Sequence, residues 1–217
     1  MSSYSCRRIV VLAEGQTERK FVDAVLAPYF DSKGLDITAS VILQNPRRSH
    51  QSNRGGIHSR AQILDNIRRF LLDPSIAVIT TVIDYYRFPR SNQVETAEGI
   101  EHQLVKEVGD RRFIAYLQKH EFEAVLFSDI AIIETVLDLR QGTVAREVRS
   151  SPEDINSSPE NHPCHILDRL CQTVHKRRYS KTTDGLEIAR QTGLGPIRSR
   201  CPRFSRWIDD LEKACSK

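Results

Sequence analysis

Apolar and polar positions along the chain switch repeatedly between a strand-like and a helix-like spacing. Ile9 to Leu12 is a short, largely β-branched apolar run, the pattern of a buried strand. Glu14-Gly15-Gln16-Thr17-Glu18 follows as a turn, with Thr17 able to cap a helix that begins at Glu18. Phe21, Val22, Val25, Leu26 and Tyr29 recur at helical spacing while Arg19, Lys20 and Asp23 take the wet face, and Pro28 marks the fraying end. Ile37 to Leu43 reads as a second strand, and the polar stretch from Gln44 to Gly56 reads as a long loop. Ile63, Leu64, Ile67, Phe70 and Leu71 mark a second amphipathic helix, closed by Asp73-Pro74.

Ala77 to Ile83 is the strongest strand, and its near-continuous apolar character fits a central parallel strand covered on both faces. A third helix is predicted over Gly99 to Val108, and a fourth strand over Phe113 to Leu117 leads into His120-Glu121-Phe122-Glu123. Beyond Ser128 the signal is helical, interrupted by loops around Ser150 to Pro163. Trp207, Ile208 and Leu211 share the apolar stripe of a last helix. Strands alternating with helices predict right-handed βαβ units and a doubly wound α/β fold, a mostly parallel sheet flanked by helices. The expected organisation is an α/β core over 1–127 with a helical C-terminal extension over 128–217 packed on it as one compact domain.

Composition changes this picture little. With 217 residues, 39% apolar and 28% charged, the chain can bury roughly 70% of its unfolded surface and is ordinary for a globular protein. No apolar run reaches the roughly 18 residues a membrane helix needs, and Met1 to Arg8 is too polar for a secretory signal. A cytoplasmic protein without membrane contact is expected. Five cysteines (Cys6, Cys164, Cys171, Cys201 and Cys215) lie scattered without a C-x-x-C pair, which points to reduced thiols. A formal charge of +4 is mild, yet Lys176, Arg177, Arg178 and Lys181 bunch the basic residues toward the C-terminal third, where an anionic partner could be met.

The chemistry lies in where the acids fall. Glu14 follows the first strand directly and Asp84 follows the central one, so both reach the carboxyl end of a parallel sheet, where ligands of open α/β folds collect. Two carboxylates there repel, and a divalent cation such as Mg²⁺, which takes one or two carboxylates plus waters and phosphates, resolves the conflict. The bland alternatives are a solvated loop acid for Glu14 and an N-cap for Asp84. Glu18, one helical turn on, is either part of the same site or a first-turn acid answering the helix dipole. Glu121 and Glu123 share a face if the strand continues and diverge by about 200° if a helix has begun; Glu123 is the preferred site residue of the two. His162, Cys164, His165, Cys171 and His175 have zinc-ligand chemistry but match no zinc spacing. Gly55-Gly56 is neither a P-loop nor a dinucleotide fingerprint, and no nucleophile elbow is present.

Several motifs in order carry a resemblance over nearly the full length: A-E-G-Q-T-E-R-K-F-V from Ala13, V-I-D-Y-Y from Val82, and K-H-E-F-E-A-V-L-F-S-D from Lys119. S-P-E-D-I-N from Ser151, Y-S-K-T-T-D-G from Tyr179 and I-R-S-R-C-P-R-F-S-R-W from Ile197 complete the series. The chain resembles a prokaryotic Toprim-like family known as a domain of unknown function, related to the Toprim domains of topoisomerases, primases and OLD-family nucleases and to the nuclease subunit of the PARIS anti-phage system.

That resemblance implies a metal-dependent phosphodiesterase acting on DNA or RNA, with phage defence as a setting. It implies catalytic roles for Glu14, Glu18, Asp84, Glu123 and Lys181, and Mg²⁺ or Mn²⁺ ligation by Glu14, Asp84, Glu123 and Glu121. Lys181, with Arg177 or Arg178 nearby, would face phosphate. An ATPase partner protein fits the same relatives, and a homo-oligomer is compatible. Two departures stand out: Tyr86 occupies the place of the second aspartate of D-x-D, and Pro163-Cys164-His165-Ile166 stands where Pro-Ser-Lys-Arg is expected, losing two cations. The alternative implied by those losses is a catalytically weak or inactive binding or sensor subunit.

Overall fold

The computed structural model describes residues 7–43, 59–89, 95–155 and 162–216. Its chain forms two compact units, Met1–Leu117 with Ile208–Lys217, and Gln118–Trp207.

The first unit is built on a five-stranded sheet in which β1 (Arg7–Ala13), β2 (Leu35–Val41), β3 (Ile76–Asp84) and β4 (Phe113–Ile114) run in the order β2-β1-β3-β4. β1 pairs parallel with both β2 and β3, and β3 with β4. A fifth short strand, β5 (Leu117–Gln118), also pairs with β3. Every residue of β3 except Ala77 is buried, as a strand covered on both faces requires. Thr81 is tolerated there because its hydroxyl donates to the Tyr116 carbonyl at 2.9 Å and accepts the Tyr116 N–H at 3.0 Å, so no polar atom of the pair is orphaned. The α/β class and the mostly parallel, helix-flanked sheet agree with the periodicity of the sequence, as does the helical C-terminal region.

Element ends moved for identifiable reasons. The first helix, α1 (Gln16–Phe21), starts two residues before the predicted Glu18. Gly15 rather than Thr17 stands at its N-cap, and the Glu18 carboxylate reaches back to the Gly15 N–H at 2.9 Å. Pro28 does not end the helix. A π turn over Val22–Leu26, in which the Ala27 N–H bonds the Val22 carbonyl, slips the hydrogen-bond register by one residue. Pro28 then falls in the first turn of α2 (Ala27–Asp31), where its missing donor costs nothing. β2 begins two residues before the predicted Ile37, ending at Val41. Beyond it Leu43 is clamped by Asn66 of α3 (Arg60–Leu71): the Leu43 N–H donates to the Asn66 carbonyl oxygen at 3.1 Å and the Asn66 amide returns a bond at 3.3 Å. α4 (Ala97–Val108) starts two residues before the predicted Gly99, since the Thr96 hydroxyl caps the Gly99 N–H at 3.1 Å. The loop from Gln44 to Gly56, with Gly55-Gly56, lies outside the described residues. Among the described residues, no helix is long and apolar enough to cross a membrane.

The single strand predicted over Phe113 to Leu117 is two short ones, β4 and β5. His120 follows with φ of 68°, a left-handed kink that ends extended backbone. Phe122–Ser128 then coils as a 3₁₀ helix, every residue buried, so neither continued strand nor α-helix describes the K-H-E-F-E motif. The second unit continues with α5 (Ile130–Val136), α6 (Thr143–Glu147), α7 (Pro163–His175), α8 (Leu186–Thr192) and α9 (Leu194–Arg200), and α10 (Pro202–Cys215) begins there. Trp207, Ile208 and Leu211 of α10 are buried as their spacing predicted.

Buried acids organise this second unit. Glu134 accepts the N–H groups of Gly142 at 2.9 Å and Val144 at 2.8 Å. Glu153 receives the N–H of Arg203 at 3.1 Å and of Phe204 at 3.1 Å, placing its charge on donors that the first turn of a helix leaves unsatisfied. The segment carrying Glu153 is cross-tied to the K-H-E-F-E segment through Lys119 and Asp154 at 2.9 Å and through His120 Nε2 and the Glu153 carbonyl at 2.9 Å. Glu153→Ala should therefore cost about 2 kcal/mol, the upper range for a lost cap, measured by urea denaturation. The exposed Asp154→Ala should cost less than half as much, and equal losses would show that capping is not what Glu153 contributes.

Candidate functional site

In the first unit, the strand order places a reversal of chain progression between β1 and β3: the chain moves from β1 outward to β2, then returns to the other side of β1 for β3. Such a switch point opens a crevice at the carboxyl ends of the two strands. The parallel register aligns Ala13 with Val82, and the Glu14 N–H donates to the Val82 carbonyl at 3.1 Å. Glu14 and Asp84 therefore leave neighbouring strands at the same edge. The Glu14 carboxylate accepts the Asp84 backbone N–H at 3.2 Å, and both acids are largely buried, at 8% and 6% exposure.

Glu18 is buried too, and its bond to the Gly15 N–H closes the turn that carries Glu14. A Cβ at position 15 would approach the Glu18 carboxylate to 3.2 Å, so glycine keeps that turn tight without crowding the acid. Glu18 thus caps the start of its own helix and holds the turn that carries Glu14. Tyr86 sits in the 3₁₀ turn Tyr85–Arg87 that follows Asp84.

Buried carboxylates at one strand edge fit a hard divalent cation by donor chemistry: like charges about 4 Å apart at an effective dielectric of about 20 repel by about 4 kcal/mol, and a cation converts that cost into attraction. Among the described residues, no group of three or more His, Cys, Asp or Glu side chains is arranged to enclose a metal. Mg²⁺ in general takes only one or two carboxylates, with waters and phosphate oxygens completing its shell.

In the second unit Glu123 is wholly buried, and the Lys181 ammonium lies 2.9 Å and 3.0 Å from its two carboxylate oxygens. Burial pushes Glu123 upward against the pull of Lys181. Lys181, which burial alone would lower, is held above its ordinary range by the charge of Glu123. Glu121 takes a different partner, accepting the Cys164 N–H at 3.4 Å. The Cys164 thiol is pushed up to about 11 by burial, with Glu123 adding to the shift, so it is not the activated thiolate that nucleophilic catalysis uses. Arg177, expected to face phosphate, is engaged by Asp184 at 2.6 Å and 3.1 Å. The histidines and cysteines of the tail do not converge: His175 bonds the Leu137 carbonyl at 2.7 Å, His162 and His165 stack edge to face, and Cys171 is buried.

The model of one family, described as a domain of unknown function (DUF4276), matches residues 13–212. The chain belongs to this family. No curated protein and no solved structure matches it.

Within this DUF4276 chain, sequence reasoning missed the partners that surround Glu123. Tyr179 is buried beside it, its hydroxyl raised by burial and by the charge of Glu123, and a Cβ at Gly185 would overlap that hydroxyl. The Y-S-K-T-T-D-G motif thus encodes a packing requirement at its tyrosine and final glycine as well as a cation at its lysine. Lys181→Met should destabilise the protein by about 3 kcal/mol, because it leaves Glu123 charged and unpaired in the interior. The double variant Lys181→Met with Glu123→Leu should recover most of that loss in chemical denaturation. A double variant as unstable as the single one would show that the pair's charge balance is not what matters.

Proposed function

We propose that this DUF4276 protein is a cytoplasmic, metal-dependent phosphodiesterase acting on nucleic acid, with Glu14 and Asp84 as the ligands of a Mg²⁺ or Mn²⁺ ion. The observation that carries the reading is the meeting of the Glu14 carboxylate with the Asp84 amide at the switch point between β1 and β3. The resemblance of the E-G-Q-T-E and I-D-Y-Y segments to Toprim domains and OLD-family nucleases supports it, and phage defence is the setting those relatives suggest.

A divalent ion bound there would supply charge neutralisation at a phosphate and a water of lowered pKa. The protein's share is positional. Glu14 and Asp84 present hard oxygen donors from two strands whose register fixes their spacing, and Glu18 locks the turn beneath Glu14 through the Gly15 N–H. Partial burial of both acids keeps bulk water from screening them, which strengthens their hold on a cation.

A second reading, a sensor or binding subunit working with an ATPase, is favoured by Tyr86, which stands in the position of a further acid and is 46% exposed. One assay separates the two. Purified protein is incubated with plasmid, linear DNA and transfer RNA in Mg²⁺ or Mn²⁺. The nuclease reading expects cleavage abolished by chelator and lowered at least about 100-fold by Glu14→Gln or Asp84→Asn, the scale of losing metal-assisted stabilisation. Cleavage unchanged in both variants would discard the site. No cleavage of any substrate, together with calorimetry that finds no Mg²⁺ binding dependent on Glu14, would select the sensor reading.

A further inference from the structure

The end of the sheet opposite Glu14 and Asp84 has the reverse electrostatic character. Arg7 and Arg8 open β1, and Arg111 and Arg112 stand just before β4. β3 lies between those strands, so the two arginine pairs flank its start, and all four line one cavity of about 810 Å³. Asp36, opposite Arg8 in the register of β2 with β1, is the one acid of the lining. The four arginines are not equivalent. Arg112 is committed to the fold: its guanidinium donates to the Asp110 carboxylate at 3.0 Å and to the Leu71 and Asp73 carbonyls at 2.8 Å and 3.2 Å, tying the entry of β4 to the turn before β3. Arg8 is paired with Asp73 at 3.2 Å. Arg7 donates to the Cys215 carbonyl at 2.5 Å and has no carboxylate within ion-pair distance among the described residues. Arg111 is exposed, and its side chain makes no hydrogen bond or ion pair among the described residues; Asp110 beside it in sequence feels its charge but is bound by Arg112. Two guanidiniums thus reach one concavity from opposite sides of β3, each without an ion-pair partner.

We propose that this cavity binds a small ligand carrying a chain of phosphates, the chemical class of tripolyphosphate and the nucleoside triphosphates, with Arg7 and Arg111 as its anchors. A guanidinium is a planar fork that matches phosphate oxygens in pairs and does not lose its proton. A single phosphate satisfies one fork, whereas two forks on either side of a strand call for charges spaced along one molecule. The size agrees, since small-molecule sites span about 300–1,000 Å³. A concavity of that volume suits a compact anion better than a duplex, which is bound over a much larger surface. Arg112 supplies the rigidity: its bonds fix the backbone that presents Arg111, so that anchor is in place before any ligand arrives. The site lies at the far end of the strands from the acidic edge and is independent of the phosphodiesterase reading.

Isothermal titration of the full chain in EDTA tests this, because no metal can then bridge a phosphate to Glu14 or Asp84. The probes are inorganic phosphate, tripolyphosphate, ATP and a short DNA duplex. Wild type should bind tripolyphosphate or ATP at least about 10-fold more tightly than inorganic phosphate, and the tighter of the two shows whether a free phosphate chain or a nucleotide is the source. Arg7→Gln and Arg111→Gln should each weaken that binding about 10- to 100-fold, the scale of a hydrogen bond to a charged group. Lys20→Gln, which removes the same charge from exposed α1, should stay within about 2-fold of wild type, since distant surface charges are screened. Arg111 makes no side-chain bond in the fold, so Arg111→Gln should keep the wild-type melting temperature, and its lost affinity is not lost folding. An equal loss in all three variants, phosphate bound as tightly as tripolyphosphate, binding of the duplex alone, or no binding of either tripolyphosphate or ATP overturns the proposal. Because metal is withheld, each of these failures leaves Glu14-dependent cleavage untouched.

Discussion

The constraint on which the site depends is the parallel register of β1 with β3. Because Ala13 lies opposite Val82, the first residue beyond β1 and the last residue of β3 come to one edge, and a glutamate meets an aspartate's amide there. A slip of one residue would turn every side chain of β1 to the other face and would carry Glu14 away from the crevice. The register is in turn held by Ile9, Val11, Leu12 and Ile79, all without solvent exposure. Core packing and site geometry are therefore one problem, and the polar carboxylates are afforded by the apolar strands behind them.

The acids of this protein divide by environment. Glu134 and Glu153 are buried against backbone N–H groups and stabilise turns and helix starts. Glu123 is buried against one ammonium. Glu18 is buried against the amide of the turn it follows. Glu14 is likewise buried against a backbone N–H, and what sets it apart is that this amide belongs to Asp84, a second buried acid. Burial by itself does not mark function here, because carboxylates satisfied by donors are buried just as deeply.

Much of the fold was legible in the sequence. The β-branched run of β3 announced a central strand, and the alternation of periods announced parallel pairing, because parallel strands need helical crossovers. Element ends were less legible, since they are set by single hydrogen bonds: Glu18 to Gly15, Thr96 to Gly99, and the π turn that absorbs Pro28. Placement of Glu14 and Asp84 at one edge followed from strand order alone. The Glu123–Lys181 pair could not be derived that way, because 58 residues separate its members and no local period links them; resemblance to a family suggested both residues but not that they bind each other. The 3₁₀ course of Phe122–Ser128 was also hidden, as its continuous apolar composition suits strand and helix equally.

Isothermal titration of the full chain with Mn²⁺ tests the central claim most directly, because it asks whether the two carboxylates act as one ligand set without requiring any substrate. Wild type should bind the ion, and Glu14→Gln and Asp84→Asn should each remove most of that affinity, with the double variant no worse than the weaker single one. Binding that is unaffected by either substitution, or no binding to wild type, would contradict the account.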